Sequence, residues 1–247
     1  MIVDAATIEV GSFGEGKGLP VLLLHEGLGS VSMWRDFPAR LADASGRRII
    51  AWSRLGYGNS ASFEAPYLPD FMHREADAAA RLIAQMGVER THIFGHSDGA
   101  SIALLLAERH PQLVASLVLE APHIFVEPMC IAAITGMERG SADLISRLGR
   151  YHRDANAVFR QWFAIWTDPC FPAWNIEAET GAVDCPVLLI QGDDDEYGTY
   201  EQLDRISALL PQAKQLRLPG CGHSPHRDRE GAVLASAAAF LKDLADD

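Results

Sequence analysis

Gly95-His96-Ser97-Asp98-Gly99 sets a serine between two glycines, directly after the apolar run Thr91–Phe94 and directly before the nearly apolar stretch Ala100–Arg109. A strand that passes into a helix through such a pentapeptide forces its central residue into strained backbone geometry and lifts the hydroxyl above the sheet edge. The flanking glycines let neighbouring backbones pass closely. The helix start that follows presents free N–H groups and favours developing negative charge. The chemistry this permits is nucleophilic attack on an acyl carbonyl, provided a base takes the Ser97 proton and a carboxylate orients that base.

Where a serine is presented on this kind of turn, its partners follow in the order acid, then histidine. Cys221-Gly222-His223-Ser224-Pro225-His226 follows the last apolar run, Gln215–Leu218. A histidine on that loop can reach back over the sheet edge. His223, next to Gly222, is the expected base, with His226 as the alternative. The run Pro186–Gln191 ends in Gly192-Asp193-Asp194-Asp195-Glu196. Asp195 is the expected acid, ahead of Asp193 and Asp194; Glu120, at the end of the preceding strand, would need a different layout. After Val21–Leu24 comes His25-Glu26-Gly27-Leu28-Gly29-Ser30. There the Gly27 N–H, with that of Asp98, is the expected pair of donors to an oxyanion.

These residues need a scaffold that brings strand ends together. The apolar runs Pro20–Leu24, Arg48–Trp52, Thr91–Phe94, Ser116–Leu119, Pro186–Ile190 and Gln215–Leu218 are mostly continuous, which suits strands covered on both faces. Helical patterns lie between them: Phe71–Met86, with Arg74, Glu75, Asp77 and Arg81 off the apolar face, then Ala100–Arg109, Glu201–Leu210 and Glu230–Leu244. The expected fold class is α/β, a doubly wound, mostly parallel sheet. Gly11–Gly18 reads as a hairpin turn between two N-terminal strands. Its glycines lack dinucleotide-fingerprint spacing. Residues 122–184 break the alternation. Helices are expected there at Glu138–Arg150 and Ala155–Trp166, among the aromatic side chains Phe159, Trp162, Phe163, Trp166 and Trp174.

Composition narrows the classes. With 247 residues the chain suits one α/β domain carrying a small insert. A net charge of −12 with scattered Arg and Lys argues against nucleic-acid binding. No apolar run is long enough to span a bilayer. The first ten residues lack a basic start followed by an apolar stretch, so no secretory signal is expected. Four widely separated cysteines argue against disulfides or a thiolate zinc site and suit a reducing cytoplasm. No H-E-x-x-H is present, and no metal is expected. Oligomeric state is not legible.

Together these motifs resemble the α/β-hydrolase superfamily, in its lid-bearing, carboxylesterase-like branch. The matching pieces are His25–Ser30, the turn Ser53-Arg54-Leu55-Gly56-Tyr57-Gly58-Asn59-Ser60, the Gly95–Gly99 elbow, Gln191–Asp195 and Gly222-His223. The resemblance implies a cofactor-free serine hydrolase with Ser97, Asp195 and His223 as its triad. It also implies a core of residues 1–121 and 185–247 and a helical cap at 122–184. A small acyl substrate follows, largely apolar if Trp162 and Trp166 line its pocket. Lactone, thioester or carbon–carbon bond hydrolysis, acyl transfer, or a non-catalytic ligand receptor remain alternatives. Two departures stand out. His25-Glu26 replaces the usual His-Gly, so Glu26 either meets substrate or hydrogen-bonds the backbone. Ser53-Arg54 stands where an Asp-x pair is common.

Overall fold

The computed structural model describes residues 1–3, 5–63 and 65–244. A two-stranded ribbon, Ile2–Val3 (β1) and Ala6–Thr7 (β2), precedes Val10–Phe13 (β3). The apolar runs then become Val21–Leu24 (β4), Ile49–Trp52 (β5), Thr91–His96 (β6), Val114–Glu120 (β7) and Val187–Gly192 (β8), every residue of them buried. Lys214–Leu218 (β9) closes the edge. The sheet has seven strands in the order β3-β5-β4-β6-β7-β8-β9, with all neighbours parallel except β3 against β5.

Helices cover both faces, as continuous apolar strands require. They are Phe37–Ser45 (α1), Phe71–Gln85 (α2), Asp98–Arg109 (α3), Pro128–Gly136 (α4), Ser141–Leu148 (α5), Ala155–Trp166 (α6), Glu177–Thr180 (α7), Glu201–Leu209 (α8), Pro225–Asp228 (α9) and Glu230–Lys242 (α10). The pleat divides β4 between two cores. Val21 and Leu23 pack with Phe37 and Leu41 of α1 and Val233 and Leu241 of α10. Leu22 and Leu24 pack with Leu82 of α2 and Leu105 of α3. The sheet is therefore doubly wound.

Strand order places the site. From β4 the chain goes to β5 on one side, then crosses to β6 on the other. The reversal falls between β4 and β6, and the crevice at the carboxyl ends of strands around such a point is where open α/β sheets bind ligands. His25–Ser30 leaves the carboxyl end of β4, and Ser97 that of β6. Asp195 follows β8, and His223 follows β9.

Four helices, α4 to α7, fill the stretch between β7 and β8. Its ends are tied together by the bridge Phe125↔Asn175 and by Ile176 N–H donating to Ile124 O at 2.8 Å. Asp154 caps α6, accepting from Ala157 N at 2.9 Å. Trp162, Ile165, Trp166 and Phe171 join the same apolar cluster as the sheet.

Three sequence expectations change. Gly11–Gly18 is no hairpin, because β3 and β4 are not neighbours; both pair with β5, so the turn spans a strand. The expected Glu138–Arg150 helix begins as a 3₁₀ turn at Met137–Gly140 and becomes α-helical only over α5. Before it lies α4, which was not singled out. Its residues are apolar nearly all round, so no amphipathic period marks it. Glu75 of α2 lies buried rather than on a solvated face.

Candidate active site

Ser97 is held between β6 and α3 at φ 55° and ψ −119°, a region that L-residues rarely enter. Its N–H donates to Glu120 O at 2.9 Å, which fastens the elbow to β7. A Cβ at position 99 would overlap the Leu24 carbonyl, so only glycine lets α3 start this close to β4.

Ser97 Oγ lies 2.9 Å from His223 Nε2. On the other side of the ring, Nδ1 lies 2.9 Å from both Asp195 oxygens. With Nδ1–H donating to the carboxylate, Nε2 is left to accept the Ser97 proton. The hydrogen-bond network assigns this tautomer. Asp195 also accepts from Tyr197 N at 2.8 Å and from Gln191 Nε2 at 3.2 Å. Burial pushes its pKa up, but the facing His223 and these donors bring it below the usual carboxylate value. The Tyr197 ring stands edge-on to His223 with centroids 4.6 Å apart.

The alternatives are engaged elsewhere. Asp193 accepts from Gly220 N at 2.6 Å, and Asp194 is exposed. Glu120 takes hydrogen bonds from both the N–H and Nδ1 of His226, the latter at 2.6 Å. His96, Glu120 and His226 bring potential metal-ligand atoms within 4.8 Å of one another. Within that set Glu120 accepts from His226, and His96 Nε2 donates to the His223 carbonyl.

Gly27 and Asp98 face each other across a cavity of about 230 Å³ that Ser97 and His223 also line. Asp98 N–H is the first of α3 and has no intrahelical acceptor. Among the described residues, neither it nor Gly27 N–H donates to the chain itself. A Cβ on Gly27 would overlap the Trp162 indole. Trp162 and Trp166 both line the cavity, together with Cys130, Ile134 and Leu148 of the insert.

Glu26 lines the cavity as well, but its carboxylate is not bonded to backbone as one reading had it. It faces His96 Nδ1 at 3.7 Å and Arg227 Nη2 at 3.7 Å. Burial alone would raise its pKa; His96 and Arg227 outweigh that and hold it well below the carboxylate range. His96 Nε2 in turn donates to the His223 carbonyl at 2.7 Å. One imidazole thus meets a hydrogen-bond acceptor on one side and, farther off, the Glu26 carboxylate on the other. Burial disfavours its charge, but Glu26, Glu120 and that carbonyl raise its pKa. His96 links the His25–Ser30 loop to the loop that carries His223.

Four contributors escaped the sequence reading. His123, just past β7, lines the cavity with its ring 6.0 Å from that of His223; burial lowers its pKa to about 4. Its place after a strand's carboxyl end was the available signal. Arg54, noted only as a departure, is buried beneath the His25–Ser30 loop. It donates to Glu26 O at 3.0 Å and faces Asp98 Oδ2 at 3.6 Å. His152, in the stretch between β7 and β8, accepts from Gly58 N at 2.9 Å and donates from Nε2 to Leu28 O at 3.0 Å. Glu127 accepts from Thr199 N and Oγ1, each at 2.9 Å, fixing the segment beyond Asp195.

Comparison with known proteins agrees with this architecture. The model of the alpha/beta hydrolase family matches residues 21–237. A 2-hydroxymuconate semialdehyde hydrolase of Pseudomonas sp. (strain CF600) is 33% identical, covering 98% of this chain and 93% of that protein. A proline iminopeptidase of Lactobacillus delbrueckii subsp. bulgaricus is also 33% identical, covering 83% of this chain and 84% of its own. Among solved structures, the enol-lactonase from Burkholderia xenovorans LB400 superposes with a TM-score of 0.77 at 19% identity, covering 97% of this chain and 98% of that one. At that identity the likeness shows the fold alone. With a family model matched from β4 into α10 and a relative aligned almost end to end, the chain belongs to the alpha/beta hydrolase family.

Proposed function

We propose that the protein is a serine hydrolase that cleaves a carboxylic ester or closely related acyl bond of a small, largely apolar substrate. The observation that carries this reading is the unbroken hydrogen-bonded series Ser97–His223–Asp195, opening onto an apolar-walled cavity. In the proposed cycle His223 takes the Ser97 proton as Oγ attacks the carbonyl. Asp195 holds the tautomer and stabilises the imidazolium. The Gly27 and Asp98 amides receive the oxyanion. The imidazolium then protonates the leaving group, and water, deprotonated by the same His223, releases the acyl group from Ser97. Helices α4 to α6 act as a cap whose inner side shapes the pocket. Within this reading the protein works in a reducing cytoplasm, in keeping with four cysteines that are all free thiols. Among the described residues, no helix is long and apolar enough to cross a membrane.

A carbon–carbon bond hydrolase using the same residues is the second reading, favoured by the 33% identity to the 2-hydroxymuconate semialdehyde hydrolase. Labelling with a fluorophosphonate, with Ser97→Ala as control, tests both. Wild type should be labelled and the variant not; an unlabelled wild type points to a non-catalytic ligand receptor. Turnover of a panel of p-nitrophenyl esters, lactones, acyl thioesters and a diketone then separates ester cleavage from its rivals.

A further inference from the structure

The cavity is apolar in its walls but one-sided in its charge. Among the described residues, no Arg or Lys lines it, whereas Glu26, Asp98 and Glu196 do. The three are not equivalent. Asp98 is backed by Arg54, which faces its Oδ2 at 3.6 Å, and Glu196 sits exposed at the rim. Glu26 lines the wall next to Gly27, and His96 and Arg227 keep its carboxylate ionised. The two groups that face it, His96 and Arg227, each at 3.7 Å, do not line the cavity. The two histidines that do line the cavity are His223, whose Nδ1–H is committed to Asp195, and His123, which burial keeps neutral at working pH. No side chain at the wall offers a positive charge to a ligand.

We infer that this pocket selects acyl substrates without a free carboxylate, and that Glu26 is the residue that sets the selection. This deepens the serine-hydrolase reading and rests on it for the location of the acyl group. A carboxylate entering the cavity must shed water in an apolar enclosure and then meet a like charge in its wall, with no Arg or Lys in the lining to pair with it. An uncharged acyl group meets only the apolar wall of Ile134, Leu148, Trp162 and Trp166. The replacement of the usual glycine by Glu26 thereby acquires a function. It places a carboxylate in the cavity wall, next to Gly27, with His96 and Arg227 facing it.

The test compares two esters of one length, mono(4-nitrophenyl) adipate, which ends in a carboxylate, and its methyl ester, which does not. At pH 7.5 and low salt the methyl ester should have a kcat/KM at least about tenfold higher, the size expected of one like charge several ångströms away at intermediate dielectric. Glu26→Gln removes the like charge and leaves Arg227 without its facing carboxylate, so the gap should close or reverse. Glu196→Gln, at the rim, should narrow it less, in a way that added salt mimics in wild type. The same two esters titrated into Ser97→Ala, read by Trp fluorescence, measure selection without turnover. A carboxylate ester bound and cleaved as well as its methyl ester overturns the inference. Selective binding in Ser97→Ala with no turnover of either ester by wild type would leave the inference standing and overturn the hydrolase reading.

Discussion

Ser97 carries a positive φ without being glycine, and the surroundings hold it there through its N–H bond to Glu120 and the close passage of Gly99 against β4. A conformation of that kind costs about 1–3 kcal/mol, which packing and hydrogen bonds elsewhere offset. The strain belongs to the Cβ, so two inactivating substitutions should differ in stability. Ser97→Gly removes the Cβ and should be about 1 kcal/mol more stable to urea than Ser97→Ala, even after glycine's larger loss of chain entropy. Equal unfolding midpoints for the two would mean that the elbow is not strained. At the facing wall, Gly27→Ala puts a methyl group into the Trp162 indole. Either Trp162 or the Gly27 amide must shift, and misplacing one oxyanion donor costs about 3–4 kcal/mol of transition-state stabilisation. On the proposed cycle, kcat should therefore fall by a factor of about 10² or more, with fluorophosphonate labelling slowed in parallel. An unchanged kcat would remove Gly27 from the proposed oxyanion site.

At the scale of elements, the helical insert is stitched to the loops it covers, and His152 is its most specific stitch. A neutral imidazole fits both of its bonds, Nδ1 accepting from Gly58 and Nε2–H donating to Leu28, beside Arg153 N–H donating to Gly58 O at 3.0 Å. His152→Ala leaves a buried amide and a carbonyl without these partners. It should cost about 1–3 kcal/mol of stability and speed hydrogen exchange at Gly58, and on the proposed cycle kcat should fall more than KM rises because the His25–Ser30 loop loses its tether. A loss of stability with kcat intact would make the contact purely structural. This tether also shows where sequence reading stops. The run of apolar strands, the Ser97 turn and the Gly222-His223 loop are legible because they are local signals read over a few residues. That Asp195, and not Asp193 or Asp194, reaches His223 follows from how one turn points its side chains. That His152 meets Gly58, 94 residues away, follows from packing of the insert. Helix α4 is hidden because its composition carries no polar face, and Glu75 misled because a charged residue next to Arg74 reads as surface when it packs inward towards Arg54 and accepts from Tyr67 Oη at 3.1 Å.

For the whole molecule, the buried histidines tie stability to pH. Burial lowers the pKa of His25, of His123 to about 4, and of His152, so the folded protein keeps these rings neutral where the unfolded chain would protonate them near 6.5. For a histidine with a depressed folded pKa, the stability it allows is fully present above about pH 6.5 and is lost as pH falls towards the folded value. His123 alone, shifted from 6.5 to about 4, accounts for roughly 3 kcal/mol over that window, since each unit is worth about 1.4 kcal/mol. His96 works in the opposite sense. Its raised pKa stabilises the fold below 6.5 and ceases to do so as pH rises through the folded value, so it offsets part of the loss. Three lowered rings against one raised ring leave a net decline on the acid side. The lowered carboxylates Asp195 and Glu120 enter only further down, where carboxyl groups of the unfolded chain begin to protonate. Urea unfolding at pH 7.5, 6.0, 5.0 and 4.5 should therefore show stability falling steadily from about pH 6.5, well above the carboxylate range. His123→Asn removes one titrating ring and should flatten that slope by its share while leaving the pH 7.5 value less affected. A stability profile level from pH 7.5 to 5.0, or one as steep in His123→Asn as in wild type, would show that the buried rings do not govern the acid limb.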